Sequence, residues 1–153
     1  MFIIHPQIED INDGLESWDW LDFTGKNPFV ATAFGDVFFE AKEGIYFLDT
    51  VSGKLEFVCD SKQALEKILN TPEGQDHYLM SELVLLAREQ GLVLSEGECY
   101  EFIIAPILSG AIEFDNLQKM DFKVSLHING QLLKQVKDLP PGTKINEVKL
   151  DNS

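Results

Sequence analysis

Carboxylates are the most abundant side chains of this sequence that could carry chemistry. The chain holds 26 Asp and Glu against 12 Lys and Arg. Close pairs such as Glu96 and Glu98, or Asp19 and Asp22, have the residue types for proton transfer or for binding a divalent cation. A chain this acidic produces such pairs by composition alone, so a solvated surface is the favoured interpretation.

Histidine and cysteine, the other side chains with catalytic or metal-binding chemistry, are few. The three histidines, His5, His77 and His127, are scattered and lack the spacing of a metal site. The sequence has neither a glycine-rich phosphate loop nor the nucleophile elbow of hydrolases. We therefore predict no enzymatic activity, no metal and no cofactor, with the histidines as surface or packing residues. Cys59 and Cys99 are predicted to be reduced, buried thiols.

The formal net charge of −14 is the strongest signal in the composition. Direct binding of nucleic acid requires a basic face that neutralises phosphates, so the composition argues against it. A basic protein is the partner that this charge favours, because opposite electrostatic fields accelerate association. The alternative is that the acidity only maintains solubility.

The negative charge is concentrated near the start of the chain. Residues 1–25 contain six acids and no Lys or Arg, whereas residues 116–150 contain six lysines and three acids. Two tryptophans also flank an acid in the first segment, and aromatic side chains are enriched at binding surfaces. We define an acidic front of five residues and predict that it binds the partner: Asp13, Glu16, Asp19, Trp20 and Asp22. The alternative is that this segment only covers the sheet and the partner binds elsewhere.

Short apolar runs separated by breaks that end in glycine predict an antiparallel β-meander. Gly44 and Gly53 end two of the breaks, where hairpin turns need a positive φ. The predicted strands cover residues 30–33, 36–41, 44–49 and 54–59. The predicted fold class is α+β, an antiparallel meander covered by helices. We predict a single domain over residues 1–153, with a helical segment at 1–28, the meander at 29–60, and helices with a closing segment at 61–153.

Apolar side chains at helical spacing predict the elements that cover the sheet. Gly14 interrupts the first such pattern, so the first helix is predicted at 15–21, with Trp18 and Leu21 facing inward. The apolar residues before Pro6 form either an extended segment or a tail docked on the core.

Two further helices are predicted after the meander. The first is capped by Asp60 or Ser61. The second covers 77–90 and ends at Gly91, which suits a left-handed C-terminal cap. Its residues spaced for burial are Tyr78, Leu79, Leu83, Leu86 and Ala87. A last strand is predicted at 144–150.

Residues 117–136 fit two different structures. An apolar stripe of helical period runs through the whole range, and Asp115 has the position of a helix cap at its start. Alternation at 124–128 followed by Asn129-Gly130 instead indicates a hairpin. Periodicity alone leaves open whether 122–136 is one helix or a hairpin.

Several motifs of this chain resemble the Tdi-type domain of bacterial immunity proteins. They are SWDWL at 17–21, TAFGDVF at 32–38, YFLDT at 46–50, GECY at 97–100, VSLH at 124–127, GQ at 130–131 and QVKDLPPGTKI at 135–145. The Tdi-type domain occurs in immunity proteins of type VI secretion DNase toxins and often accompanies a GAD-like segment. It is distantly similar to the SUKH (Smi/Knr-like) α+β fold. One departure is Ser109-Gly110, where the family has Gly-Gly.

The resemblance implies both a structure and a role. It favours a helix at 117–136 over the hairpin. It implies a cytoplasmic, non-enzymatic immunity protein that binds and neutralises a basic nuclease toxin. The first ten residues also lack the features of a signal peptide, and no apolar run reaches the ~20 residues that cross a bilayer. The alternatives are an acidic interaction or regulatory domain with another partner, or an enzyme with an acidic site.

Overall fold

Five antiparallel strands form the central sheet, and their spatial order follows the chain. The computed structural model describes residues 2–140 and 149–150. The strands are β1 Ile3–Ile4, β2 Asn27–Thr32, β3 Val37–Ala41, β4 Gly44–Asp49 and β5 Lys54–Cys59. The predicted meander is confirmed, with φ of +143° at Gly44 and +77° at Gly53 in its turns. The apolar opening of the chain is extended, because β1 pairs with β2 through Ile3 and Thr32.

Helices cover both faces of the sheet. Helix α1 (Ile8–Leu15) and helix α5 (Phe122–Val136) pack on one face, and helix α2 (Lys62–Leu69) packs on the other. Successive strand residues point to opposite faces, so Phe38 faces α2 while its neighbour Phe39 faces α5. The α+β class is confirmed. Ser61 is the N-cap of α2 and accepts a hydrogen bond from the Ala64 amide, as predicted.

A smaller two-stranded sheet and one helix close the end of the molecule. Strand β6 (Glu98–Phe102) pairs antiparallel with β7 (Leu117–Asp121). Helix α4 (Ser81–Glu89) packs on this pair through Val84 and Ala87.

The predicted helix at 77–90 is broken. A short turn, α3 (Pro72–Gly74), continues into a π-helical turn at Gln75–Leu79, and Met80 then takes a left-handed φ of +46° before α4 begins. The break rotates the helix, so Val84 is buried and Leu86, predicted to be buried, is exposed. The left-handed cap at Gly91 is confirmed, with φ +87°.

The predicted first helix, at 15–21, is wrong. Helix α1 lies earlier, at Ile8–Leu15, and a 3₁₀ turn follows at Glu16–Trp18. Gly14 does not interrupt the helix, because α1 crosses α5 there: a Cβ on Gly14 would lie 2.6 Å from Leu126 Cδ2. Trp18 faces inward as predicted, and Leu21 is half-buried against the same core.

The prediction of one helix over 117–136 is right only in its second part. Residues 117–121 form β7, and α5 begins at Phe122, where the Asp121 carboxylate accepts from the Val124 amide at 3.1 Å. Asp115 caps no helix, because it lies in a 3₁₀ turn at Phe114–Asn116. The hairpin is excluded, since Asn129 and Gly130 lie inside α5. The predicted last strand at 144–150 falls almost wholly outside the described residues.

The family departure at Ser109 coincides with an unusual backbone. Ser109 follows a 3₁₀ turn (Pro106–Leu108) and has a left-handed φ of +73°, a conformation that glycine adopts without steric cost. Ser109 therefore holds a backbone conformation that costs more for serine than for glycine.

Candidate functional site

The acidic front is held against helix α5 by a buried histidine. His127, on α5, is 3% exposed, and its Nε2 lies 2.6 Å from Asp13 Oδ1. Its Nδ1 lies 2.6 Å from the Ser17 hydroxyl. A neutral ring protonated on Nε2 satisfies both contacts, since it donates to Asp13 and accepts from Ser17. The prediction of a surface or packing residue missed these two hydrogen bonds.

Serine, histidine and aspartate in one chain of hydrogen bonds are also the groups of a hydrolase triad. Here Ser17 and Asp13 lie one helical turn apart on the same segment. The backbone of α5 approaches this segment closely, because a Cβ on Gly130 would lie 2.6 Å from the Ser17 carbonyl oxygen. The side-chain amide of Gln131 also donates to the Ser17 hydroxyl, at 3.5 Å. We interpret the three groups as an anchor between the segment and α5.

If these three groups form an anchor, their replacement should change the stability of the protein. Replacing His127 with glutamine should lower the free energy of unfolding by about 2–3 kcal/mol, because one buried amide cannot reproduce both contacts of the ring and loses its packing. The matched control is His77→Gln, since His77 is exposed and should change stability by less than about 0.5 kcal/mol. Chemical denaturation measures both.

The same anchor should leave Ser17 unreactive toward a fluorophosphonate that labels serine hydrolases. Intact mass spectrometry checks this, with trypsin as the positive control. A stoichiometric adduct on Ser17 that disappears in the Ser17→Ala variant would contradict the anchor and revive the enzyme interpretation.

Lysines of α5 also lie beside the front. Lys134 Nζ lies 2.9 Å from Asp19 Oδ1. Lys123 Nζ lies 4.0 Å from Asp13 Oδ2. Both pairs are substantially exposed, so each contributes little to stability. The two lysines do reduce the negative charge around the acidic front. The front is therefore less negative in the structure than its own stretch of sequence indicates.

The remaining members of the front differ in exposure. Glu16 and Asp22 are exposed, and the Asp22 carboxylate accepts from the Thr24 amide at 2.9 Å, which lowers its pKa. Trp20 is half-buried: it stacks on Trp18 at 5.4 Å between ring centroids and donates to a carbonyl of α5 at 3.2 Å. Only part of the Trp20 ring is available to a partner.

A buried carboxylate that the sequence did not reveal ties three strands together. Asp36 accepts from the Thr32 hydroxyl at 3.0 Å, and from the Thr50 amide and hydroxyl at 2.8 and 2.7 Å. Burial raises the pKa of Asp36 to about 6, with a further contribution from the charge of Asp49 and opposition from these hydrogen bonds. Its role is structural, since it fixes the turns between β2 and β3 and after β4.

A second buried carboxylate lies on β6. Glu101 accepts a short hydrogen bond from the Ser125 hydroxyl of α5. Burial raises the pKa of Glu101 to about 7, and contacts with Ser125 and Asn129 oppose the shift only in part. The adjoining cavity, of about 20 Å³, has room for about one water molecule and not for a metabolite.

The thiols and the acids offer little other chemistry. Cys99 is buried, and burial raises the pKa of its thiol, while Cys59 is half-buried with its pKa also raised by burial. The prediction of buried thiols is therefore right for Cys99 and too strong for Cys59. Across residues 2–140 and 149–150, no group of three or more His, Cys, Asp or Glu could hold a metal ion. No helix in that part of the chain is long and apolar enough to cross a membrane.

The comparisons with known proteins bear on the second half of the chain. Residues 61–133 match the family described as "T6SS immunity protein Tdi1, C-terminal". This range, slightly less than half of the chain, is similar to the C-terminal domain of Tdi1-type immunity proteins of type VI secretion. The resemblance seen in the motifs is thereby confirmed. The matched range begins at the N-cap of α2 and ends inside α5, so the whole acidic front lies before it.

A solved structure has a similar fold over most of the chain. The crystal structure of Atu4351 from Agrobacterium tumefaciens is similar, with a TM-score of 0.58 and 14% sequence identity. The match covers 85% of this chain and 66% of that protein, so the chain spans slightly less than two thirds of its length. At this identity the likeness shows the fold alone. No curated protein matches the chain in sequence.

Proposed function

We propose that this protein is a non-enzymatic, cytoplasmic immunity protein that binds and neutralises a nuclease (DNase) toxin of a type VI secretion system. The match of residues 61–133 to the Tdi1 family carries the proposal, because an immunity protein acts on a toxin. The net charge of −14 supports a nuclease as the toxin. A nuclease presents a basic surface to DNA phosphates, and an acidic protein is electrostatically complementary to that surface.

Co-expression with the cognate toxin tests this function. Cells that make the toxin should survive only with this protein, and the purified protein should inhibit DNA cleavage in proportion to the complex formed. A catalytically inactive toxin should still bind it. If the protein binds no toxin, the proposed function is wrong; if it protects cells from a toxin that leaves DNA intact, only the nuclease part is wrong.

Within this function, we propose that the acidic front steers the toxin during association. The variant Glu16→Gln, Asp19→Asn, Asp22→Asn should slow association several-fold at low salt and flatten its salt dependence, because charges at the rim act mainly on the association rate. Asp13 is kept, since its contact with His127 makes its removal a test of stability as well. Stopped-flow association at several salt concentrations measures the effect.

The control variant is matched in charge but placed elsewhere. Glu56→Gln, Asp60→Asn, Glu66→Gln removes the same number of negative charges from exposed positions on β5, α2 and the turn between them. Equal association rates in the two variants would mean that only net charge matters. The acidic front would then have no specific role.

A further inference from the structure

An apolar groove lies between the broken middle helix and the loop before β7. It has a volume of about 400 Å³. One wall is formed by the π-helical turn, Met80 and α4, and the other by residues 112–114. Its apolar lining includes Leu83, Leu86, Ile112 and Phe114.

Two apolar side chains of this groove are exposed to solvent, while Met80, Leu83 and Phe114 are half-buried. Leu86 is 39% exposed and Ile112 is 57% exposed. The left-handed residue Met80 precedes α4, in which Val84 and Ala87 fill the core and Leu86 points outward. Neighbouring exposed apolar side chains rimmed by polar groups are typical of an interaction surface.

The charge around the groove is of one sign. Three carboxylates line it, Asp76, Glu82 and Glu113, and none of its described lining residues is basic. A partner that buries its own carboxylates here would face repulsion, whereas cationic side chains would be attracted. The groove also lies wholly within residues 61–133, the part that matches the immunity family, whereas the acidic front lies outside it.

We infer that this groove binds the toxin, and that it takes a segment of the toxin in which lysine or arginine side chains flank an apolar one. The apolar side chain enters between Leu86 and Ile112, and the cations reach the carboxylates at the rim. This inference rests on the proposed function, since it names the surface through which the toxin is held. Such a surface acts mainly on the dissociation rate, in contrast to the steering proposed for the acidic front.

Two groove variants test this inference against a nuclease-inactive form of the cognate toxin. Leu86→Asp places a charge in the apolar floor, and Glu82→Lys with Glu113→Lys reverses the rim. Each should weaken binding by about thirtyfold or more, chiefly through faster dissociation. Surface plasmon resonance gives both rates. All three positions are on the surface or its edge, and circular dichroism with thermal unfolding verifies the fold.

The controls come from the same helix. Leu85→Asp introduces the same charge at a side chain that is 48% exposed and does not line the groove. Glu89→Lys reverses an exposed charge at the end of α4. Both should bind the toxin within about threefold of wild type, because neither touches the groove.

The outcomes distinguish a failure of the groove proposal from a failure of the proposed function. If wild type fails to bind the toxin, the proposed function fails and the groove has no toxin to hold. If wild type binds and either groove variant binds like its control, the groove assignment is wrong while the immunity function stands. Self-association of wild type that Leu86→Asp abolishes in sedimentation would show that a second copy of this chain occupies the groove, and would also overturn the inference.

Discussion

Replacing Gly130 with alanine is expected to destabilise the protein by about 2–3 kcal/mol. Intrinsic helix propensity predicts the opposite sign, a gain of about 1 kcal/mol, because Gly130 lies in the interior of α5. The packing decides between them. A Cβ at this position would lie 2.6 Å from the Ser17 carbonyl oxygen and 2.8 Å from Trp18 Cδ1, so backbone segments must separate.

Two further variants grade the expected effect of Gly130→Ala. Gly14→Ala should cost less, about 1–2 kcal/mol, because the three atoms nearest to its Cβ belong to the Leu126 side chain, whereas the Cβ of Gly130 would meet a backbone carbonyl. Lys134→Ala, on the exposed side of α5, should stay within about 0.5 kcal/mol of wild type. Urea denaturation of the three variants gives the order. A Gly130→Ala variant more stable than wild type would show that the 3₁₀ turn at Glu16–Trp18 does not contact α5 closely.

The second large effect is a loss of stability as the pH rises toward neutrality. The pKa of Glu101 is raised from 4.5 to about 7, and that of Asp36 from 3.8 to about 6. At a pH between the ordinary pKa and the raised pKa of each group, the folded protein keeps a proton that the unfolded chain has released. The free energy of unfolding therefore falls as the pH rises from about 4 to about 7, by up to about 3 kcal/mol for each group.

Glu101→Gln isolates one of these contributions. The amide keeps an acceptor for Ser125 without a charge, so this variant should gain up to about 3 kcal/mol over wild type at pH 8 and little at pH 4. Glu66→Gln, which removes an exposed charge, serves as the control for net charge. Thermal unfolding from pH 4 to pH 8 compares them. Parallel curves for wild type and Glu101→Gln would mean that Glu101 is ionised in the folded protein at neutral pH at no cost.

The elements that the sequence predicted well are those decided by neighbours in the chain. The meander follows from glycine turns between apolar runs, and the cap at Ser61 follows from the residues just after it. The errors lie where a distant partner decides. Gly14 remains helical because Leu126 packs on it, and residues 117–121 become a strand because β6 pairs with them.

The candidate sites also differ in whether neighbouring or distant residues decide them. The acids of the front are visible in composition, but the lysines that face them belong to α5, more than a hundred positions later. Glu101 lies in an otherwise apolar run, and this could have identified it as a buried acid. Asp36 comes directly after Gly35 and four residues after Thr32, a spacing that could have indicated a turn closed by its side chain. The groove depends on the backbone of Met80, which side-chain periodicity does not report.

The contact between Trp18 and α5 has a consequence for how the chain is made. Trp18 is fully buried and donates to the Leu126 carbonyl at 2.9 Å, across a separation of 108 residues. The pairings of the meander join consecutive strands, so its hairpins can form before α5 leaves the ribosome. Trp18 cannot make its contact with Leu126 until α5 has been synthesised. Among the described residues α5 is the last helix, so this face of the sheet is completed only after α5 has been made, and a chain cut short before α5 has only α1 on that face.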